Sequence, residues 1–131
     1  MNKVTIAIPS VSMDGLTGIR SDHFGHCPVF TLVDLQDNQI SGVRTVKNVA
    51  HEVGGCLKPV AMLADLGVTT MVAVGMGRGP FQKMAQHGIT VYFADLATYP
   101  DVQSAITAFT NGKLPEFIQD QLCNGSGNCH H

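Results

Sequence analysis

The chain has no long hydrophobic run, and this absence argues against a membrane-spanning helix. Such a helix needs about 20 consecutive apolar residues, whereas apolar stretches such as residues 72–74 are far shorter. The N-terminal apolar stretch, residues 4–8, ends at Pro9 and is shorter than the roughly 7–15 residues of a secretory signal. We therefore expect a cytoplasmic protein that does not enter a membrane.

Charged residues are few, and basic residues do not predominate. Charged side chains make up 14% of the chain, and the formal net charge is −2. Nucleic-acid binding usually requires a clear basic excess, so the composition argues against it. The hydrophobic share of 44% and the mean hydropathy of +0.14 indicate a globular chain whose apolar surface partly meets a ligand or partner.

Cysteine is also scarce, with four residues in a chain of 131. A domain of this size buries about two thirds of its unfolded surface, so it does not need disulfides or a metal to fold. Cysteines of cytoplasmic proteins are more often thiols or metal ligands than disulfides. We expect one ligand-binding α/β domain over residues 1–112 and a Cys/His tail over residues 113–131.

The signatures of several enzyme classes are missing. The glycine-rich stretch 75–80 lacks the Gly-Lys-Ser/Thr ending of a Walker A loop and the spacing of a dinucleotide-binding fingerprint. The predicted first strand, residues 3–8, has no carboxylate, which removes the central ligand of a two-metal nuclease. No Ser-His-Asp or Cys-His pair has a decisive local signature. We therefore expect no catalytic residues and no enzymatic activity.

The hydrophobic pattern predicts an α/β fold. A hairpin turn at residues 37–38 makes the second strand antiparallel to its neighbours, and right-handed crossovers make the later strands parallel. The simplest arrangement is a three-layer α/β/α fold that resembles ribonuclease H, with a five-stranded mixed sheet in the order 3-2-1-4-5. The expected strands are residues 3–8, 29–35, 39–46, 68–74 and 89–93, and the expected helices are 57–66, 81–87 and 100 to about 111.

This topology predicts where a ligand binds. In open α/β sheets, ligands bind outside the carboxyl ends of the parallel strands. The loops expected at that edge are residues 10–28, 47–56, 75–80 and 94–99. They bring together the candidate residues His23, His26, Cys27, His51, Cys56 and Arg78.

Imidazole and thiol side chains in two of these loops are candidate metal ligands. Such ligands suit zinc, copper(I) and the iron of sulfur clusters, and His23, His26 and Cys27 lie close together in the first loop. The alternative is a histidine that caps a turn and a cysteine that packs under the loop. His51 and Cys56 are weaker candidates, because a single loop cysteine is often a small buried hydrophobe.

The glycine-rich stretch predicts an anion-binding turn that opens a helix. Gly77 and Gly79 would let backbone N–H groups face an anion, to which the helix N-terminus and Arg78 add positive charge. Arg20 in the first loop would serve the same anion. The alternatives are a tight turn whose glycines serve packing, and a solvated loop arginine.

The C-terminal tail contains further potential ligands, Cys123, Cys129, His130 and His131. Their spacing matches no common zinc module, and an unattached tail is the alternative interpretation. An extended chain advances about 3.3 Å per residue, so the tail is long enough to reach the ligand edge or a neighbouring subunit.

The motif His23-Phe24-Gly25, followed by Phe30 and Asp34 on a strand, resembles the dinitrogenase iron–molybdenum cofactor biosynthesis family. The stretch 75–80 and His51 ahead of a Gly-Gly pair also match its pattern. The family includes the NifX and NafY carriers, the C-terminal part of NifB, and the orange protein, which holds a molybdenum–copper sulfide cluster.

The resemblance covers about residues 3–112 and implies a ribonuclease-H-like fold without nuclease activity. It implies binding of the iron–molybdenum cofactor, its iron–sulfur precursor or a related cluster, with His23 and Gly25 in the binding motif. We expect a carrier that takes such a cluster from a donor protein to an acceptor protein. The alternative is a zinc or copper protein for sensing or storage that uses Cys123 and Cys129.

Overall fold

Five strands and three α-helices make up most of the described structure. The computed structural model describes residues 3–21, 27–48, 57–74 and 78–116, with only the backbone of 57–59 and 78–80. The elements are β1 (Lys3–Ser10), β2 (Val29–Gln36), β3 (Gln39–Lys47), α1 (Leu57–Asp65), β4 (Thr70–Ala73), α2 (Arg78–Gln86), β5 (Thr90–Phe93) and α3 (Val102–Thr110), with a 3-10 helix, η1 (Gly15–Thr17). Among these elements no helix has the length and apolarity needed to cross a membrane.

The strands form one mixed sheet in the order β3-β2-β1-β4-β5, which confirms the predicted α/β fold and strand order. β2 is antiparallel to β1 and β3, whereas β4 is parallel to β1 and β5 to β4. The β2–β3 turn consists of Asp37 and Asn38, which have φ angles of 54° and 70°. Asp and Asn tolerate this left-handed backbone, which two-residue hairpin turns require.

The sheet is covered on both faces, because alternate side chains of its strands point to opposite sides. Ala7 and Leu32 belong to a core covered by α1 and α2, which we call the first core. Ile6 and Val33 belong to a second core, covered by α3. Burial on both faces explains why the central strands read as continuous apolar runs rather than as alternating ones.

β1 is longer than the sequence pattern predicts. We expected Pro9 to end the strand, but Pro9 pairs with Phe30 and the strand continues to Ser10. The carbonyl of Pro9 accepts a hydrogen bond from the N–H of Ser21, at 2.8 Å. The N–H that proline lacks would therefore face the first loop rather than β2, so its absence does not interrupt the β1–β2 pairing.

The first loop returns along β1. The N–H of Val11 donates to the carbonyl of Ile19 at 2.9 Å, and residue 20 forms a bridge with residue 10. On the other side of this returning segment, the N–H of Arg20 donates to the carbonyl of Pro100 at 3.0 Å. Residues 18–21 therefore connect the end of β1 to the chain that leads into α3.

The guanidinium of Arg20 fixes this connection. Its side chain is 2% exposed, and it donates to the carbonyls of Tyr99, at 2.8 Å, and Ala94, at 2.9 Å. Burial lowers the pKa of Arg20 to about 10, opposed by the nearby Asp95 carboxylate, so the group stays charged at neutral pH. Arg20 is thus a buried clamp between the first loop and the chain after β5, unlike the solvated arginine considered as its alternative.

Two helices begin at positions different from those predicted. α2 begins at Arg78 rather than at residue 81, so Arg78 and Gly79 lie in its first turn. Pro80 is tolerated there because first-turn N–H groups have no partner within the helix. α3 begins at Val102, and its N-cap Asp101 accepts a hydrogen bond from the Ser104 N–H.

The chain stays packed beyond α3. α3 ends beside the β2–β3 turn, where the Asn38 amide donates to the carbonyl of Thr110 at 2.8 Å. Leu114 is 8% exposed and joins the second core. The carbonyl of Pro115 then accepts a hydrogen bond from the N–H of Phe93. Residues 114–116 therefore pack against the domain, beyond the boundary expected at residue 112.

The clamp makes a prediction about stability. Replacing Arg20→Met leaves two buried carbonyls without their charged donor, so the free energy of unfolding should fall by about 3 kcal/mol. The matched control is Arg44→Met, because Arg44 is 48% exposed and its contact with the Asp34 carboxylate is long, at 3.5 Å. That change should cost less than about 1 kcal/mol. Urea unfolding measures both, and equal effects of the two substitutions would contradict the clamp.

Candidate functional site

The site predicted from topology lies where the parallel strands end. The register aligns Ser10 with Val29 and Val29 with Lys47, and it pairs Ala73 with Phe93. We call this side of the sheet, marked by these five residues, the carboxyl edge. It is the side on which α/β sheets bind ligands.

The described residues that flank three candidate segments lie at the carboxyl edge. Ser21 and Cys27 flank residues 22–26, Asn48 follows β3, and Arg78 opens α2 after β4. Hydrogen bonds anchor two of these flanking residues. The N–H of Ser21 donates to the carbonyl of Pro9, and the N–H of Asn48 donates to the carbonyl of Pro28 at 3.0 Å. The ends of these segments are therefore brought together as the topology predicts.

Most of the predicted ligands lie outside the described residues. Those at the carboxyl-edge loops are His23, Gly25, His26, His51, Cys56 and Gly77, and those of the tail are Cys123 and Cys129. Within the described ranges, no three His, Cys, Asp or Glu side chains lie close enough to hold a metal ion. The assignments to these eight residues stay predictions.

Cys27 lies inside the protein, at the start of the chain leading into β2. It is 3% exposed and belongs to the first core. The Asn48 side-chain amide donates to the carbonyl of Cys27 at 2.8 Å and lies 3.7 Å from its Sγ. Burial raises the pKa of the Cys27 thiol to about 12, against the opposing effect of the Ser10 N–H and the Asn48 amide. This geometry corresponds to the packed cysteine that we considered as the alternative to a ligand.

Arg20 brings positive charge to the carboxyl edge without being exposed to solvent. Two of its nitrogens bind the carbonyls that follow β5, and among the described residues its Nε–H has no acceptor. A buried donor without a partner is unusual and costs free energy. A guanidinium next to Ser21 in the chain fits an anionic ligand, because its field reaches the edge even though its two terminal nitrogens are bound to carbonyls.

The helices add to the positive potential of the same edge. All three begin on this side, because each follows a strand, β3, β4 or β5, that ends there, and the N-terminal end of a helix has a partial positive charge. Asp101 already binds the first turn of α3, and the Ser104 N–H holds the pKa of Asp101 below its usual value. The N-termini of α1 and α2, at Leu57 and Arg78, follow the segments 49–56 and 75–77 that contain predicted ligand residues.

A cavity of about 570 Å³ lies at the opposite edge of the sheet, lined by residues that include Lys3, Thr5, Asp34 and Arg44. The Thr5 hydroxyl donates to Asp34 at 2.8 Å, and Arg44 lies 3.5 Å from the same carboxylate. Three of the polar groups that line this cavity thus contact one another. We retain the carboxyl edge as the candidate site, because the anchored segments and the helix N-termini meet there.

Two parts of the edge were not recognised from the sequence. The sequence predicts only a loop at Asn48, although a polar residue directly after a hairpin strand is well placed to bind the start of its partner strand. The carbonyls of Ala94 and Tyr99 have no side-chain signature at all. The structure alone shows that these two carbonyls accept hydrogen bonds from the buried Arg20 guanidinium.

Comparison with known proteins agrees with this fold. Residues 3–112 match the protein family described as dinitrogenase iron-molybdenum cofactor. An uncharacterized protein of Methanocaldococcus jannaschii is 29% identical over 101 residues, covering 74% of this chain and 81% of that protein.

Solved structures of related proteins share this fold. A NifB-like protein from Thermotoga is 32% identical, with a TM-score of 0.72 over 89% of this chain and 98% of that one. The apo form of the orange protein from Desulfovibrio gigas is 25% identical, with a TM-score of 0.74 over 86% and 92% of the two chains. With most of its length matched by the family and its fold shared with these relatives, the chain belongs to the dinitrogenase iron-molybdenum cofactor family.

Proposed function

We propose that this protein binds an anionic metal–sulfur cluster at the carboxyl edge and carries it during cofactor assembly. The cluster is of the iron–molybdenum–sulfur or iron–sulfur type, or a molybdenum–copper sulfide. The observation that best supports the proposal is the meeting of positive groups at one edge in a member of this family. Three helices begin there, and the Arg20 guanidinium is buried beside the anchored ends of residues 22–26.

The positive groups at the carboxyl edge suit an anionic cluster. Metal–sulfide clusters are anionic, and a site that holds them must offset their charge without a whole-protein field, because the chain has a net charge of −2. Helix N-termini supply partial positive charge and N–H donors. Arg20 adds a full charge that stays in place because the clamp holds it.

The principal ligand in this proposal is His23. The imidazole of histidine is a common metal ligand, which binds through a ring nitrogen. Cys27 must lose a proton to coordinate, and its pKa of about 12 makes that unfavourable. His26 lies in the same segment and would assist His23, whereas Cys27 serves mainly to anchor the segment.

A carrier needs reversible binding. One or two protein ligands leave the rest of the cluster surface to other contacts, so an acceptor protein can compete for the cargo. We propose that donor and acceptor proteins exchange the cluster at this edge in the cytoplasm, where thiols stay reduced. The protein's role is then to hold and transfer the cluster, with no catalysed reaction.

The ligand assignment is tested with His23→Ala. After reconstitution without oxygen, this variant should lose at least about tenfold in bound metal and acid-labile sulfide, since removing a ligand weakens metal affinity strongly. Elemental analysis, sulfide assay and visible absorption measure the loss. The matched control is His87→Ala, because His87 is exposed beyond the end of α2 and should bind cluster like the unmodified protein.

The outcome also separates cluster binding from simple metal binding. Unchanged metal and sulfide in His23→Ala would refute His23 as the ligand. Bound zinc or copper without sulfide or visible absorption in the unmodified protein would refute the cluster and favour the sensing or storage protein. Such a site would use the cysteines and histidines of the tail.

The buried state of Cys27 predicts its reactivity. Because its pKa is about 12 and it is 3% exposed, iodoacetamide at pH 8 should modify Cys27 in the native protein at least about a hundredfold more slowly than in urea. Peptide mapping by mass spectrometry measures the modification at this residue. Similar rates in native and unfolded protein would show an accessible thiolate and return Cys27 to the set of ligands.

A further inference from the structure

The first loop exposes apolar side chains that the fold does not cover. Among the described residues, the three most exposed large apolar side chains are those of Val11, Met13 and Ile19, at 51%, 53% and 52%. All three belong to the segment between β1 and β2. Single exposed apolar residues are common, but several in one place mark interaction surfaces. We call Val11, Met13 and Ile19 the outer surface of the first loop.

Backbone pairing places two of these side chains next to each other. The N–H of Val11 donates to the carbonyl of Ile19, and the neighbouring pair is Ser10 with Arg20. Directly paired residues of antiparallel segments have their side chains on the same face, and successive residues alternate between faces. Val11 and Ile19 therefore share the outer face of this short ribbon. Ser10 and Arg20 share its inner face, where both are buried.

The polarity of this ribbon is the reverse of the usual one. A ribbon at a protein surface ordinarily turns its apolar side chains toward the core and its polar ones toward water. Here the inner face holds the Arg20 clamp, so the side chains of Val11 and Ile19 are left in water. Covering them with another molecule would remove apolar surface from water and stabilise the contact. The outer surface of the first loop therefore fits an intermolecular contact.

Acidic side chains lie next to this surface, both in the sequence and in the backbone pairing. Asp14 follows Met13 in the loop, and Asp101 pairs with Ile19 in a backbone bridge. Residues 11–21 contain one basic side chain, that of Arg20, and it is buried on the inner face. The negative charge beside the outer surface is therefore not offset by an exposed basic residue of the same segment.

These charges disfavour a second copy of the chain as the occupant of the surface. A two-fold symmetric contact uses the same patch on both subunits, so it would bring Asp14 and Asp101 toward the same carboxylates of the other copy. Like charges that face each other across an interface oppose association. An apolar surface flanked by lysine or arginine side chains is complementary in both respects.

The position of the surface indicates which kind of protein would have such side chains. Ser10 marks the carboxyl edge and precedes Val11, and Ile19 lies two residues before Ser21, which flanks residues 22–26. A protein docked here would face the proposed cluster site. A donor or an acceptor of an anionic cluster needs positive groups around its own site to offset that charge, so we expect basic side chains on it.

We propose that the outer surface of the first loop docks the protein that delivers or receives the cluster, through an apolar contact flanked by basic side chains of that protein. The identity of this protein as a cluster donor or acceptor rests on the function proposed above. The docking chemistry rests on the exposed apolar side chains and the acidic residues beside them. Contact at the outer face leaves the Arg20 clamp on the inner face in place.

Methyl NMR of the full-length protein without cluster tests the docking chemistry. The probe is a synthetic amphipathic helical peptide of leucine and lysine, and its matched control has glutamate in place of every lysine. The lysine peptide should shift the methyl signals of Val11, Met13 and Ile19. It should bind there at least about tenfold more tightly than the glutamate peptide, because opposite charges attract across the contact. Equal binding of the two peptides, or shifts confined to other methyl groups, would overturn the proposal.

Two pairs of substitutions test the apolar and the acidic parts of the surface separately. Ile19→Ser should weaken binding of the lysine peptide at least about tenfold, because it removes a large apolar contact, whereas Ile40→Ser on β3 should leave binding nearly unchanged. Asp14→Asn should weaken binding at least about twofold, and its control is Asp65→Asn at the end of α1. All four side chains are exposed, so the fold should stay intact. Equal effects of the two isoleucine substitutions would contradict the docking surface.

Two further measurements test the occupant and the link to the cluster. Shifts of the Ile19 methyl signal that grow with protein concentration, in the protein alone, would assign the surface to a second copy and overturn the proposal. After reconstitution, Ile19→Ser should hold as much metal and sulfide as the unmodified protein, and a loss would contradict a role in docking alone. Failure of the unmodified protein to bind cluster would refute the proposed function and the partner's identity, whereas the peptide measurement would still report on docking.

Discussion

The buried guanidinium of Arg20 is the contact on which the arrangement of the carboxyl edge depends. A charged side chain is rarely this buried unless it is hydrogen-bonded, and here backbone carbonyls accept from both terminal nitrogens of the guanidinium. The same contact reinforces the short backbone bridge between Ile19 and Asp101, which joins the first loop to the segment before α3. Ser21, which precedes residues 22–26, is therefore anchored to β1, and the Arg20 guanidinium is held in one position.

The distribution of charge explains how a weakly charged protein can hold an anion. Few side chains are charged, yet the three helices begin on the same side of the sheet because each follows a strand, β3, β4 or β5, that ends there. The topology thus gathers partial charges from the backbone where the proposed cargo binds. At α3 this potential is already used by Asp101, which leaves the starts of α1 and α2 to act on a ligand.

The strand order could be predicted from the sequence because its causes are local. Asp37-Asn38 specifies a tight hairpin, and the apolar runs identify the buried strands. The prediction that Pro9 ends β1 was wrong, because the cost of a missing N–H depends on which neighbouring segment that position faces. That neighbour is Ser21, which pairs with Pro9 only once the first loop has folded back.

The candidate site was harder to predict for a similar reason. The position of the edge follows from the strand order, and the His-Phe-Gly motif resembles a known family, so the place and the family were accessible. The burial of Arg20 was not, since its acceptors are carbonyls far along the chain, and carbonyls belong to every residue type. Cys27 resembles a ligand in the sequence and becomes a packed residue only through Asn48 and the first core.

The short β1–β4 ladder has a consequence for how the protein matures. β1, β2 and β3 are consecutive and pair along most of their length, whereas β4 pairs with β1 only at Ile6 and Ala7. Contacts distant in sequence form late because closing long loops costs entropy. We therefore expect the N-terminal meander to form before the β1–β4 pairing completes the carboxyl edge. The cluster site that we propose would then exist only in the finished fold.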